Sequence, residues 1–257
     1  MRIDKIENVM PFGEINYFES VDSTNDWLID NGECGDICIS EAQAHGRGRQ
    51  GNKWISPKEG NIYFSLCWCF DDISKHWTLL GLVVGIAIAE ALSDVGLRNH
   101  GVKWPNDIFW DNKKLGGILI ETVGRSSKVI IGIGLNISLP EKYTQNINQA
   151  ATSLEEALPN STPSRDELLM ALVIRLHQSL KSFSSLTFDN FLISWKKWDI
   201  LQGEIISFSD QGKDVVGKVV EIDQHGRLGL LNSNGEVKYF SSAEIKMRRV
   251  GNASTSR

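Results

Sequence analysis

Residues 46–54 read Gly46-Arg47-Gly48-Arg49-Gln50-Gly51-Asn52-Lys53-Trp54 (GRGRQGNKW), and whether a helix comes directly after this stretch decides the fold. Gly46 to Gly51 satisfy G-x-G-x-x-G after an apparent strand, and Asp71 stands twenty positions beyond Gly51, so a dinucleotide-binding turn must be weighed. That turn works only when a helix starts directly after the glycines and offers its N-terminal amides to a pyrophosphate. Asn52 to Asn61 contain Pro57 and Gly60 and show no helical period, which excludes a Rossmann crossover here. What remains is a pliable backbone carrying two guanidinium groups at i and i+2, with Lys53 beside them. Such a loop can wrap a phosphate or carboxylate, or it can be a solvated basic turn, and spacing alone leaves both open. The polar stretch from Gln43 to Asn61 exceeds the roughly 12 to 15 residues of an ordinary structureless connection, which makes it the first candidate for a site.

Around this loop the hydrophobic period alternates between strand and helix. Ile15 to Glu19 predicts a strand, and Val21-Asp22-Ser23-Thr24-Asn25-Asp26 offers several N-caps for a helix carrying Trp27, Leu28 and Ile29. Asp36 to Ala42 and the aromatic-rich Ile62 to Phe70 predict strands, and Trp77 to Leu97 a long apolar helix. Strands are predicted at Val102 to Trp104, Ile108 to Trp110, Leu115 to Thr122 and Lys128 to Ser138, with Asp111-Asn112-Lys113 as a turn. Pro140 to Ala157 reads as irregular, Thr162-Pro163-Ser164-Arg165 opens a helix running to about Phe183, and a shorter one spans Thr187 to Trp198. Beyond Gly203 short strands alternate with turns near Gly212, Gly226 and Gly235, up to Glu244 to Arg248. The whole predicts an α+β chain, with one domain at 1–202 and a small all-β domain at 203–257.

Composition narrows the function classes. With 257 residues, 41% hydrophobic and 23% charged, the chain falls in the globular range. The net charge of -5, from 27 Lys plus Arg against 32 Asp plus Glu, argues against coating nucleic acid through bulk charge. Any anion site must be local. The apolar run Leu79 to Leu92 is shorter than the roughly 17 to 25 residues of a membrane span and is interrupted by Glu90. The N-terminal residues lack an export signal, so a cytoplasmic location without membrane or DNA contact is expected. Cys34, Cys38, Cys67 and Cys69 are expected to be buried free thiols. Histidines 45, 76, 100, 177 and 225 show no zinc-ligand spacing, and no protein metal site is expected.

Two further segments can carry chemistry. In Lys103-Trp104-Pro105-Asn106-Asp107 the proline makes a rigid corner flanked by Lys103 and Asp107. In Lys114-Leu115-Gly116-Gly117 a lysine stands beside two residues that let a ligand approach the backbone. Gly132-Ile133-Gly134-Leu135-Asn136 repeats that signal more weakly.

Taken together, Ser23-Thr24-Asn25, Gln43, GRGRQG with Trp54, Lys103 to Asp107, Lys114 to Leu119 and Gly132 to Asn136 resemble the biotin protein ligases in order and spacing. The resemblance implies a mixed central β-sheet flanked by helices, like class II aminoacyl-tRNA synthetases, with a small C-terminal SH3-like barrel. The chain looks like the monofunctional form, without an N-terminal DNA-binding domain. The implied activity joins biotin to ATP as biotinyl-5′-AMP and then to a lysine of a biotin carboxyl carrier protein domain, with Mg²⁺ on the ATP phosphates; a homodimer is possible.

By the same resemblance Lys114, Arg47 and Arg49 are the catalytic cations. Ser23, Thr24, Asn25, Gln43, Gly46, Arg47, Tyr63, Lys114 and Gly116 are biotin contacts, and Arg49, Trp54, Lys103, Asn106, Asp107 and Asn136 nucleotide contacts. One departure is that Asn148-Gln149 precedes Ala150-Ala151-Thr152, where some relatives have an aromatic residue stacking on adenine. The small β domain is expected to serve the carrier more than biotin. The nearest alternative is a lipoate or octanoate ligase or transferase of the same superfamily. A non-catalytic biotin-binding regulator would have no need of every charge at the reacting centre.

Overall fold

The computed structural model describes residues 13–58, 60–71, 77–124, 127–144, 149–210 and 213–241. Strand β1 (Ile15–Phe18) leads into helix α1 (Thr24–Asn31). Of the polar residues before that helix, Ser23 is the cap: its hydroxyl accepts from the Asp26 N–H, and Gly32 closes the far end. Next come β2 (Ile37–Ser40), β3 (Ile62–Cys69), and a 3₁₀ turn at Trp77–Leu79 that opens α2 (Leu80–Asp94). β4 (His100–Lys103), β5 (Asp107–Trp110), β6 (Lys113–Thr122) and β7 (Lys128–Leu135) complete the sheet. Between β5 and β6, Asp111 and Asn112 both adopt positive φ (46° and 59°), the two-residue hairpin geometry that short polar side chains tolerate.

The seven strands run in the order β1-β2-β3-β7-β6-β5-β4, with β1 parallel to β2 and the other neighbours antiparallel. Period two then sorts the side chains. Ile62, Phe64 and Leu66 of β3 and Val129, Ile131, Ile133 and Leu135 of β7 enter the large core. The alternate residues of the same strands, Tyr63 paired with Gly134 and Ser65 paired with Gly132, form the opposite face. Trp77–Asp94 is long and apolar enough to cross a membrane by composition, yet 67% of it is buried in the fold, where α2 packs on the core face of the sheet.

The segment expected to be irregular holds two single-turn helices, α3 (Glu141–Thr144) and α4 (Leu154–Ala157). α5 (Arg165–Ser182) starts with a capping box between Ser164 and Glu167, and α6 (Phe188–Trp198) comes next. The second sheet comprises β8 (Ile205–Asp210), β9 (Lys213–Ile222), β10 (Leu228–Leu231) and β11 (Val237–Phe240), all antiparallel. Its inner residues Ile206, Phe208, Val219, Ile222, Leu228 and Leu230 belong to the same continuous core as α2 and Trp104. Gly212, His76, Asn148 and the elements expected at Glu244 to Arg248 and Gly251 to Arg257 lie outside the described residues.

The thiol expectation needs correction. Cys34 and Cys69 are joined by a disulfide with Cα atoms 5.5 Å apart, and only Cys38 and Cys67 are free and buried. The bond ties the segment after α1 to the end of β3.

Candidate active site

The site face of the sheet has a floor made by missing side chains. Register places Tyr63, Gly134, Gly117 and Asp107 side by side across β3, β7, β6 and β5, with Ser65, Gly132 and Leu119 in the next row. Three strand spacings of roughly 4.8 Å put the two ends of that floor about 14 Å apart. The polar groups gather at these ends.

At the β3 end, the N-terminus of α1 meets the Arg loop. Thr24 donates from its N–H (2.9 Å) and from its hydroxyl (3.1 Å) to Gln43 Oε1, and Gln43 Nε2 donates to Ser56 Oγ at 2.9 Å. Ser65 Oγ lies 2.7 Å from Thr24 Oγ1 and 2.6 Å from Asn25 Oδ1. Ser23, Thr24 and Asn25 are all buried, so these hydroxyls and amides form a dry, preordered set of donors and acceptors suited to a small polar ring. Arg47 lies at the same end. Its guanidinium donates to both Glu121 oxygens at 2.8 Å and to Asp26, while Gly46 packs against the Trp54 carbonyl.

At the β5 end the charge is positive. Lys114 Nζ lies 2.8 Å from Asp107 Oδ1 and 5.3 Å from the centre of the Trp54 ring, and Arg49 donates to Asn106 Oδ1 at 3.2 Å. Lys103, 8% exposed, places Nζ 4.7 Å above the Phe109 ring. Burial pulls the Lys103 ammonium below the ordinary lysine value; Asp107 opposes that shift and Lys114 adds to it. Burial likewise lowers Arg49, again against Asp107. Three cations thus share one carboxylate, and the excess positive charge in a partly dry corner favours an anion.

The loop carrying these groups is less loose than its glycines imply. Gly48 N–H donates to Asn52 O at 2.7 Å, Trp54 N–H donates to Gly46 O at 2.8 Å, and Arg49–Gly51 forms a 3₁₀ turn with Gln50 and Gly51 at positive φ. The Trp54 ring lies across the floor, where a Cβ on Gly134 would come within 2.5 Å of it and one on Gly117 within 3.2 Å. Its indole N–H is buried with no hydrogen-bond partner among the described residues.

The sequence profile of the Biotin/lipoate A/B protein ligase family matches residues 17–138. Over 251 residues the chain is 34% identical to the bifunctional ligase/repressor BirA of Salmonella typhimurium, covering 95% of this chain and 78% of that protein. The chain belongs to the biotin protein ligase family. It is also 29% identical over 218 residues to the Biotin--[acetyl-CoA-carboxylase] ligase of Mycobacterium tuberculosis, covering 82% of this chain and 78% of that one. Among solved structures, the biotin protein ligase from Aquifex aeolicus in complex with biotin and ATP aligns with a TM-score of 0.78 and 31% identity, over 93% of this chain and 100% of that chain.

The remaining candidate residues take several positions. Gly116 turns to the core face, where a Cβ would collide with Leu135; Gly117 and Gly134 are the glycines of the floor. Gly132 is required because the Asn25 amide lies directly on it, so Asn25 anchors α1 rather than opening toward the floor. Tyr63 donates from its hydroxyl to Pro57 O at 3.1 Å and thereby props the returning limb of the loop. Asn136 donates to Thr152 O at 3.0 Å, and Lys114 exchanges backbone hydrogen bonds of 2.9 Å with Ala150 and Thr152. Ala150-Ala151-Thr152 therefore forms a small-residue wall beside the lysine. Ser56, Ser65, Asp26 and Glu121 also join the site, and only Ser65 had a usable signal: it is a hydroxyl on the Tyr63 face of an otherwise apolar strand.

Proposed function

We propose that this protein activates biotin with ATP and transfers it to a lysine of a biotin carboxyl carrier domain of a carboxylase. The observation that carries this reading is the pairing of Lys114, Arg49 and Lys103 around Asp107 with a neutral donor and acceptor pocket at Thr24, Gln43 and Ser65, joined by the glycine floor. A ring with a carboxylate on a flexible arm fits that division. Thr24, Gln43 and Ser65 take the polar ring, and Lys114 takes the carboxylate. A biotin carboxylate oxygen then attacks the α-phosphorus of ATP, the bond to the β-phosphate oxygen breaks, and pyrophosphate leaves. Lys114 offsets the repulsion between the two anions, and Arg49 and Lys103 hold the phosphates, so the chain contributes position and charge. In the second step a neutral carrier amine attacks the anhydride carbonyl, gives up a proton and releases AMP.

Among the described residues no three His, Cys, Asp or Glu side chains gather to hold a metal ion. Mg²⁺ would arrive on the ATP phosphates, with water and phosphate oxygens as its main ligands. The Mycobacterium tuberculosis relative and the Aquifex aeolicus structure are named as biotin ligases, which does not favour the lipoate alternative. Incubation with biotin, ATP and a purified carrier domain, followed by mass spectrometry of the carrier, tests the proposal. One biotinyl group on a single lysine supports it, and an unmodified carrier with biotin consumed by neither step refutes it.

A further inference from the structure

Arg47 spends four of its five N–H donors on two carboxylates of its own chain: Nε and one terminal nitrogen on Asp26, and both terminal nitrogens on Glu121. Glu121 in turn accepts from Asn25 Nδ2 at 2.7 Å, so one carboxylate receives the Arg loop and the first turn of α1 together. Burial works against the charged Arg47, but its hydrogen bonds to Glu121 and Asp26 outweigh this and raise it above the ordinary arginine value. An exposed ion pair contributes little by itself. Bidentate geometry and a shared carboxylate set this cluster apart.

A guanidinium held in this way has little left for a ligand. What the cluster fixes is backbone: Gly46, the residue before Arg47, sits beside Gln43 Nε2 and the Trp54 carbonyl, and Asn25 is the residue after Thr24. We infer that Glu121, with Asp26, is a positioning residue for biotin binding, which acts through Arg47 and Asn25 to hold the loop backbone and the start of α1 in register around the ring pocket. This rests on the functional reading that the Thr24, Gln43 and Ser65 end takes the biotin ring. It assigns the Arg47 side chain to this internal clamp instead of to the adenylate.

The test is direct biotin binding by calorimetry, together with KM for ATP in biotin-dependent pyrophosphate exchange, for the wild type, Glu121→Gln, Arg47→Ala and the double variant. Glu121→Gln should weaken biotin at least tenfold while KM for ATP stays within twofold. Because Glu121 acts through Arg47, adding Arg47→Ala to Glu121→Gln should cost less than a further twofold. A folded Glu121→Gln protein that binds biotin within twofold of the wild type, an equal loss of ATP, or losses that multiply in the double variant would each overturn the inference. Should Glu121→Gln fail to fold, Asp26→Asn removes the other half of the clamp and carries the same expectations. A wild-type protein that binds no biotin would instead refute the functional reading.

Discussion

The indole Nε1 of Trp104 donates a 2.8 Å hydrogen bond to the carbonyl oxygen of Gly226, 122 residues further along the chain. Trp104 is 1% exposed and stands between Lys103 and the Asn106-Asp107 pair of the cationic corner. Gly226 has φ 69°, and a Cβ there would lie 2.8 Å from the Thr78 carbonyl, so the turn before β10 is wedged between that corner and the start of α2. Removing residues 203–257 would therefore bare Trp104 and Leu79 and open the main core. The second sheet thus supports the cationic corner of the site.

Trp104→Phe tests this link: it removes the donor, and its smaller ring also leaves a void in the core. A buried carbonyl left unpaired costs about 1 to 3 kcal/mol. The variant should lose at least that much stability in urea and show a severalfold rise in KM for ATP, with KM for biotin within about twofold. An unchanged KM for ATP would mean that the contact is a structural seam only.

Gly134→Ala tests the floor. Its Cβ would come within 2.5 Å of the Trp54 ring, and Trp54 also meets Lys114. The ring must move, and adenylate formation should fall by at least tenfold while secondary structure is retained. Wild-type rates would show that Trp54 has no fixed seat.

Much of this was legible in the sequence because it depends on local rules. Alternation placed the strands, the apolar run marked α2, and the absence of a helix after Gly51 excluded a nucleotide-binding crossover. GRGRQG, Lys103 to Asp107 and Lys114 to Gly117 indicated which segments meet. The direction of each side chain was not legible. Gly116 and Gly117 face opposite sides by the ordinary pleat, but the bulge opposite Ile108 and Phe109 of β5 shifts the phase at Leu115 and brings Lys114 onto the same face as Gly117, which no alternation in the sequence shows. Glu121 at the end of an ordinary strand, and Cys34 bonded 35 residues away, become meaningful only once the sheet is assembled.

Asp199 lies at the joint before the second sheet, accepting from Trp195 Nε1 at 3.1 Å and Leu201 N–H at 2.8 Å. Burial raises its pKa to about 6, opposed by these hydrogen bonds. The folded state then holds a proton that the unfolded chain has lost between about pH 4 and 6, so stability from this group is full below pH 4 and falls as pH rises through 6. At 1.36 kcal/mol per unit this amounts to about 2 to 3 kcal/mol. Urea melts of Asp199→Asn and the wild type should show the variant gaining relative stability by that order from pH 4 to 7. A constant difference would place the Asp199 carboxyl in ordinary solvent.

Burial pushes the Cys38 thiol up to about 12 and the Cys67 thiol up to about 11. Neither should react with iodoacetamide at pH 8 in the folded protein, since the thiolate is the nucleophile. Denaturation without reductant should expose these two thiols and leave Cys34 and Cys69 linked in the peptide map. Four alkylated cysteines under that condition would contradict the disulfide.

The central claim is that Lys114 brings the biotin carboxylate and the α-phosphate together, and biotin-dependent pyrophosphate release by Lys114→Ala tests it most directly. Lys114 lies at the end of the floor and its Nζ meets only partly buried groups, so its removal should leave the fold intact. Loss of a charge at a preorganised centre costs on the order of 10² to 10³ in rate. The account predicts a folded variant whose release falls by that factor at saturating biotin and ATP. Release within a fewfold of the wild type would contradict it and move the reacting centre away from Lys114.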